Sequence, residues 1–327
     1  MESDALQARH EIEGEVRAAV ERVVLPALGE PGRRAELTIP KLGRSSLVFL
    51  VDVDGGRSFV VRVARGRRAR RGLRRHVRAG ALWARHGLPT PAILHADLSR
   101  AARRATGFSL LCEQRIRGRN AVELGPGEAG RAGFAAVGRA FARVHAVERR
   151  WHHGSFHQPR VGPFGYRLVK RHGEWTRALH RLGVVPRELG AAHREWLGGF
   201  PLLHAGGPFQ LHHRRCTESD VMIDDAGEAW ILEPQRCGFG HFLTDLVRIE
   251  ERICRGDEAR VRALHGGYFG AAPAGRREVY DALVPVFRAD LHLSNALRWA
   301  RKLGRGDAEA EAGFARELER FRKITGV

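Results

Sequence analysis

The stretch Leu211–Glu250, LHHRRCTESDVMIDDAGEAWILEPQRCGFGHFLTDLVRIE, carries the chain's densest set of residues able to do chemistry. Asp220 stands where a short apolar run, Val221-Met222-Ile223, begins, and Glu233 stands where a second run, Ala229–Leu232, ends. The turn Asp224-Asp225-Ala226-Gly227 between them predicts a β-hairpin. A hairpin brings its outer ends together, so the two carboxylates are expected to lie close, flanking the loop that carries Arg214 and Arg215. Paired carboxylates are hard oxygen ligands for a divalent ion, and adjacent arginines neutralise phosphate. His213-x-x-Cys216 and Cys237-x-x-x-His241 offer spacings a zinc site could use. The spacing is loose beside true zinc modules, so buried thiols and a hydrogen-bonded histidine are the plainer reading.

The elements that must position these residues come earlier in the chain. Residues 5–29 read as a helix with an apolar stripe, stopped by Pro26 and Gly29. Residues 36–63 read as three strands, the second and third joined by the turn Asp54-Gly55-Gly56. The Lys41–Ser46 loop, with Gly43, Ser45 and Ser46, can lay backbone N–H groups against phosphates, although most such loops are plain turns. Arg62 sits in the third strand, a cation among valines that is either a solvated strand residue or a phosphate contact. A helix is predicted over 73–86, with His76 in it and no acidic residue. Two further strands follow Pro91, then an apolar-striped helix over 128–147.

This layout resembles the aminoglycoside phosphotransferase and choline kinase group of the protein-kinase-like superfamily. The family pattern is a His-Gly-Asp loop, an Asn opening a strand, an Asp closing the next strand, and a later helical Asp. His213 matches the loop His and Asp245 the helical Asp that braces the loop backbone. Arg215 stands where the catalytic Asp belongs, Asp220 where the Asn belongs, and Glu233 where the metal-binding Asp belongs. Arg62 takes the place of the Lys that grips nucleotide phosphates, and His76 falls near its Glu partner. The resemblance implies an α+β, two-lobed fold: a small β-rich lobe over residues 1–112 and a larger, mostly helical lobe over 113–327. It further implies an acceptor-site insertion at about 148–208, an ATP and Mg²⁺ site, and a hinge near Cys112–Gly118. The Lys–Glu ion pair of the family is expected to be absent.

Formal net charge is +19, and the basic residues concentrate in Arg65–Arg78. Such charge suits nucleic acid or an anionic surface. However, lysine occurs only at 41, 170, 302 and 323, a bias that spreads arginine over the whole surface, and few aromatics interleave the run to stack on bases. No apolar run is long enough to span a bilayer, and the polar start is unlike a signal peptide. Four cysteines without a CxxC pair suggest free thiols, and the expectation is a cytoplasmic protein.

Arg215 cannot accept a proton, and four departures from the family at once (Arg62, His76, Arg215, Glu233) favour a pseudokinase-like protein that binds a nucleotide together with a small-molecule or protein partner. One alternative is an active ATP-dependent phosphotransferase of aminoglycoside, sugar or lipopolysaccharide-core type, with rewired residues. The other is a basic nucleic-acid or anionic-surface binding module using Arg65–Arg78.

Overall fold

A computed structural model describes residues 12–40, 47–125, 127–150, 152–155, 158–161, 164–204, 207–303, 307 and 309–327. The chain divides into two compact units. The first comprises Met1–Phe141, Thr217–Cys237 and Arg262–Tyr268; the second comprises Ala142–Cys216, Gly238–Val261 and Phe269–Val327. The fold class is α+β, with a small antiparallel sheet in a β-rich lobe and a mostly helical remainder.

The first unit is built on a five-stranded antiparallel sheet. Its strands are β1 (Ala35–Thr38), β2 (Leu47–Val53), β3 (Ser58–Ala64), β4 (Ile93–Asp97) and β5 (Ser109–Gln114), in the order β1-β2-β3-β5-β4. Successive side chains on a strand point to opposite faces, and the two faces carry different jobs. Phe49, Val51, Phe59, Val61, Leu110 and Cys112 form one apolar face, packed with Val16, Val20 and Val24 of the N-terminal helical run α1. That run is α-helical over Glu13–Ala19, widens into a π turn at Val20–Val24 and closes at Leu25–Ala27. The opposite face presents Ala64 and Leu111 to Leu73 of helix α2 (Gly66–Arg85). Gly80 lets that helix lie close to the sheet, because a Cβ there would meet Ile93 Cδ1 at 2.7 Å. Between β4 and β5 lies a short helix, α3 (Arg100–Thr106), which the sequence reading did not include. Its signals were nonetheless local: Ser99 accepts the Ala102 amide at 3.0 Å, and Gly107 ends the helix at φ 79°.

The 221–233 hairpin also belongs to this unit. Strands β11 (Val221–Asp224) and β12 (Ala229–Ile231) pair antiparallel, and β6 (Gly118–Asn120) adds to β11. The turn is fixed by Asp224, whose carboxylate accepts the amides of Ala226 and Glu228 and the indole N–H of Trp230.

The second unit carries a sheet that sequence reading missed: β7 (Glu148–Arg149), β8 (His152–Ser155), β9 (Gln158–Val161), β10 (Phe209–His212) and β13 (Gly238–Gly240), in the order β7-β10-β13-β8-β9. These strands are too short for alternation to show. β13 is Gly-Phe-Gly because backbones approach closely there: a Cβ on Gly238 would sit 2.1 Å from the Gly154 carbonyl oxygen. Around this sheet lie α5 (Phe164–Arg181), α6 (Leu189–Gly198), α7 (Leu243–Arg252), α9 (Arg276–Leu303) and α10 (Ala310–Thr325). Helices α4 (Glu128–His145) and α8 (Glu258–Ala271) complete the set. From the sequence, Arg276–Leu283 and Pro285–Leu303 read as separate helices; the structure instead has one helix, α9, running through Pro285. Packing accounts for this. Ala289, Leu293, Leu297 and Ala300 of α9 share a core with Leu179, Leu189, Leu318 and Phe321, and that burial outweighs the backbone hydrogen bond the proline removes.

Candidate nucleotide-site residues and the braced loop

In the first unit, the α2-facing side of the sheet carries a buried ionic cluster. Arg62 on β3 pairs in register with Leu111, and Glu113 lies two residues along β5, so Arg62 and Glu113 project from the same face. Arg62 donates through Nε to Glu113 Oε2 at 2.5 Å and through Nη1 to Glu233 Oε1. The other Glu113 oxygen meets His76 Nε2 at 2.5 Å. Glu233 Oε2 accepts from Gln235. Arg62 is 8% exposed and Glu113 3%, so this is an interior network rather than a surface pair.

The electrostatics follow from that burial. Desolvation alone would weaken the Arg62 charge, but Glu113 and Glu233 outweigh it and hold the guanidinium more firmly protonated than usual. Burial would likewise push the Glu113 carboxyl up; His76 and Arg62 override it and bring its pKa down to about 2. Glu233 is held below its ordinary value in the same way, chiefly by Arg62 against its burial. Glu233 also adopts a left-handed backbone, φ 58°, immediately before Pro234. Such a conformation is costly for a residue with a Cβ and persists only where its surroundings enforce it. Here Arg62 and Gln235 grip both carboxylate oxygens.

The family's Lys–Glu pair is expected to be absent for want of an acid on the helix, and Arg62 nevertheless has buried acid partners. Helix α2 indeed contributes no acid, yet a carboxylate reaches Arg62 from β5, and His76 of α2 bonds that same carboxylate. Glu113 and Gln235 were not picked out from the sequence. The available signal for Glu113 was an acid within SLLCEQ, on the strand predicted next to that of a lone arginine.

At the hairpin, the backbone ends meet as a hairpin requires, with the Leu232 amide donating to the Asp220 carbonyl at 2.8 Å. The carboxylates have different partners. Asp220 accepts the Thr217 amide at 2.7 Å and the Thr217 hydroxyl at 2.8 Å, closing a capping box over Glu218–Asp220. Gly43, Ser45 and Ser46 lie outside the described residues.

In the second unit, the loop after β10 is fixed by one side chain. Asp245, fully buried near the start of α7, accepts the backbone amides of His213 at 2.5 Å and Arg214 at 2.9 Å. Arg214 itself has φ 73°, a strained turn that these two charge-assisted bonds support. His145 Nε2 lies 3.4 Å from Asp245. Burial would raise the Asp245 carboxyl, but chiefly the hydrogen bond from His145 holds it well below the carboxylate range. His212 and His241 are neutral, their pKa values lowered to about 3 chiefly by burial. His213 and Arg215 lie in this braced loop. The four cysteines are buried and free.

Solved structures with this fold are numerous. An aminoglycoside phosphotransferase APH(4)-Ia, a thermostable mutant in ternary complex with ADP and hygromycin B, aligns at TM-score 0.60 and 16% identity, covering 94% of this chain and 98% of that one. A macrolide 2'-phosphotransferase type I aligns at TM-score 0.60 and 17% identity, over 93% and 96% of the two chains. A protein of Ralstonia eutropha JMP134 assigned as an aminoglycoside phosphotransferase aligns at TM-score 0.63 and 15% identity, over 94% and 97%. No curated relative matches the sequence. The model of the phosphotransferase enzyme family matches residues 36–280, a span that takes in Arg62, Glu113, the braced loop, the hairpin and Asp245. On that match this chain belongs to the phosphotransferase enzyme family.

Proposed function

We propose that the protein is a nucleotide-binding member of this family whose phosphoryl-transfer capacity is weak or lost. The observation that carries the reading is the Arg62–Glu113–Glu233 cluster with His76 behind it. In this family a Lys–Glu pair and a metal-binding Asp surround the nucleotide phosphates. Here Arg, Glu and Glu reproduce the same charge pattern from altered residues, one of them on a different element. A decayed site would leave a buried arginine or carboxylate uncompensated, at a cost of several kcal/mol; this one is fully paired. The APH(4)-Ia relative was solved with ADP and hygromycin B, so a nucleotide together with a second small molecule is what the comparison suggests.

Arg62 would meet a phosphate only in competition with Glu113 and Glu233, and Glu233 with Asp220 would supply hard oxygens to Mg²⁺, whose charge would offset that of nucleotide phosphates. Both carboxylates already have partners, so metal entry must compete with Arg62 and Thr217. Arg215, at the position of the family's base, brings a cation that takes no proton. Losing a general base costs roughly 10²–10⁴ in rate. A second reading, an active phosphotransferase with Glu218 or Asp220 as base, draws support from the same completeness of the ion-pair cluster.

Calorimetric titration of ATP with Mg²⁺, with Mn²⁺ and without metal tests the proposal, alongside an ATP-turnover assay. The expected result is metal-dependent binding that Glu233→Ala weakens at least tenfold, with negligible turnover. Robust turnover abolished by Asp220→Ala would establish the second reading instead. No ATP binding under any metal condition would overturn both.

A further inference from the structure

The second unit contains a cavity of about 280 Å³ where the C-terminal end of α7 meets the middle of α9 and of α10. Its charge is unbalanced. Arg252, Arg298, Arg316 and Arg320 line it against two acids, Glu251 and Glu317. Both acids are engaged: Arg320 Nη1 lies 3.3 Å from Glu251 Oε2, while Glu317 Oε2 accepts from His292 Nδ1 at 2.8 Å and Asn295 Nδ2 at 3.3 Å. Arg252, Arg298 and Arg316 thus have no ion-pair partner among the described residues. Arg252 is half-buried while Arg298 and Arg316 reach solvent, and partial desolvation and then the Arg252 charge weaken the protonation of Arg298 against a smaller opposing effect of Glu317.

Three guanidiniums without an acid partner around one concave site match an anionic ligand. Guanidinium forks suit the oxygens of a phosphate group.

We propose that this cavity binds a small phosphate monoester, its phosphate among Arg252, Arg298 and Arg316. The site stands on residues separate from those of the proposed nucleotide site. A ligand there ties α7, which carries the Asp245 brace, to α10.

The test measures binding of inorganic phosphate and of glycerol phosphate by calorimetry, at ionic strength held constant with sodium chloride. Wild type, Arg298→Gln, Arg316→Gln and, as a control off the cavity, Arg85→Gln on α2 are compared, with melting temperature recorded for each. Saturable binding of both ligands is expected in wild type and Arg85→Gln. Both cavity variants are expected to weaken it at least tenfold while leaving ATP binding unchanged. Arg298→Gln is further expected to melt higher than wild type without phosphate at low salt, since it relieves like-charge crowding, and to lose the phosphate-induced increment. A merely structural arginine would lower the melting temperature instead. Absence of saturable binding, or equal binding by wild type and both cavity variants, overturns the proposal.

Discussion

Glu113 is the residue on which the buried cluster turns, since it receives both Arg62 and His76. Removing one partner of a buried pair leaves an uncompensated charge and costs about 3–5 kcal/mol. Glu113→Gln keeps the shape and removes the charge, leaving Arg62 with Glu233 alone. Its urea-unfolding free energy is expected to fall by about that amount, whereas the double variant Arg62→Met, Glu113→Leu recovers part of the loss. A Glu113→Gln protein as stable as wild type would show that the pair contributes nothing net. Beside it, Cys112 has its thiol pushed up to about 12 by burial and then by the Glu113 charge, so alkylating reagents should leave it untouched in the folded state.

At the scale of elements, α2 shows charge working against local structure. Its first turn contains Arg67 and Arg68, no acid lies there, and Arg65 provides no side-chain cap. Cations at a helix N-terminus oppose the helix dipole. Yet the helix forms, because Leu73, His76, Ala79, Gly80, Leu82 and Trp83 are buried along its inner face. Exposed Arg67 and Arg68 are therefore expected to be replaceable by Glu with a gain of about 0.3–1 kcal/mol each, read by chemical denaturation at low salt. A loss of stability would mean that these arginines have stabilising partners. If the same double variant also retained nucleic-acid binding at wild-type strength, the basic-helix reading of residues 65–78 would lose its footing.

At the scale of the molecule, buried histidines set the response to acid. His212 and His241 have pKa values of about 3 in the fold, against an ordinary value near 6.5. Above pH 6.5 both folded and unfolded chains hold these rings neutral, so they add no pH dependence. Below it the unfolded chain takes up protons that the folded chain refuses, and stability falls as pH drops from 6.5 toward 3, by up to ~1.4 kcal/mol per pH unit for each ring. Glu113, depressed to about 2, acts in the same direction at lower pH: its stabilisation is present above the unfolded value near 4.5 and is lost as pH falls toward 2. Melting temperature is expected to be level between pH 8 and 6.5 and to decline steeply from 6.5 to 5, with a shallower decline in His212→Gln. An equal melting temperature at pH 7.5 and 5 would contradict the neutral, buried state of these rings.

Local chemistry in the sequence determined the hairpin at 221–231, the three strands over residues 36–63, the helical character of α2 and α4, and the family resemblance. Each rests on short-range signals: a glycine turn, period-two or period-3.6 burial, an Asp or Ser beside an open amide. Among the described residues no helix is long and apolar enough to cross a membrane. Tertiary structure alone decided three other things. It ran α9 through Pro285, because a shared core outweighs one missing hydrogen bond. It assembled β7–β10 and β13 from strands too short to show a period, with glycine permitting backbone contact. And it gave Arg62 its acid from β5 rather than from α2, since sequence spacing carries no record of which face of a neighbouring strand a carboxylate occupies until register is set.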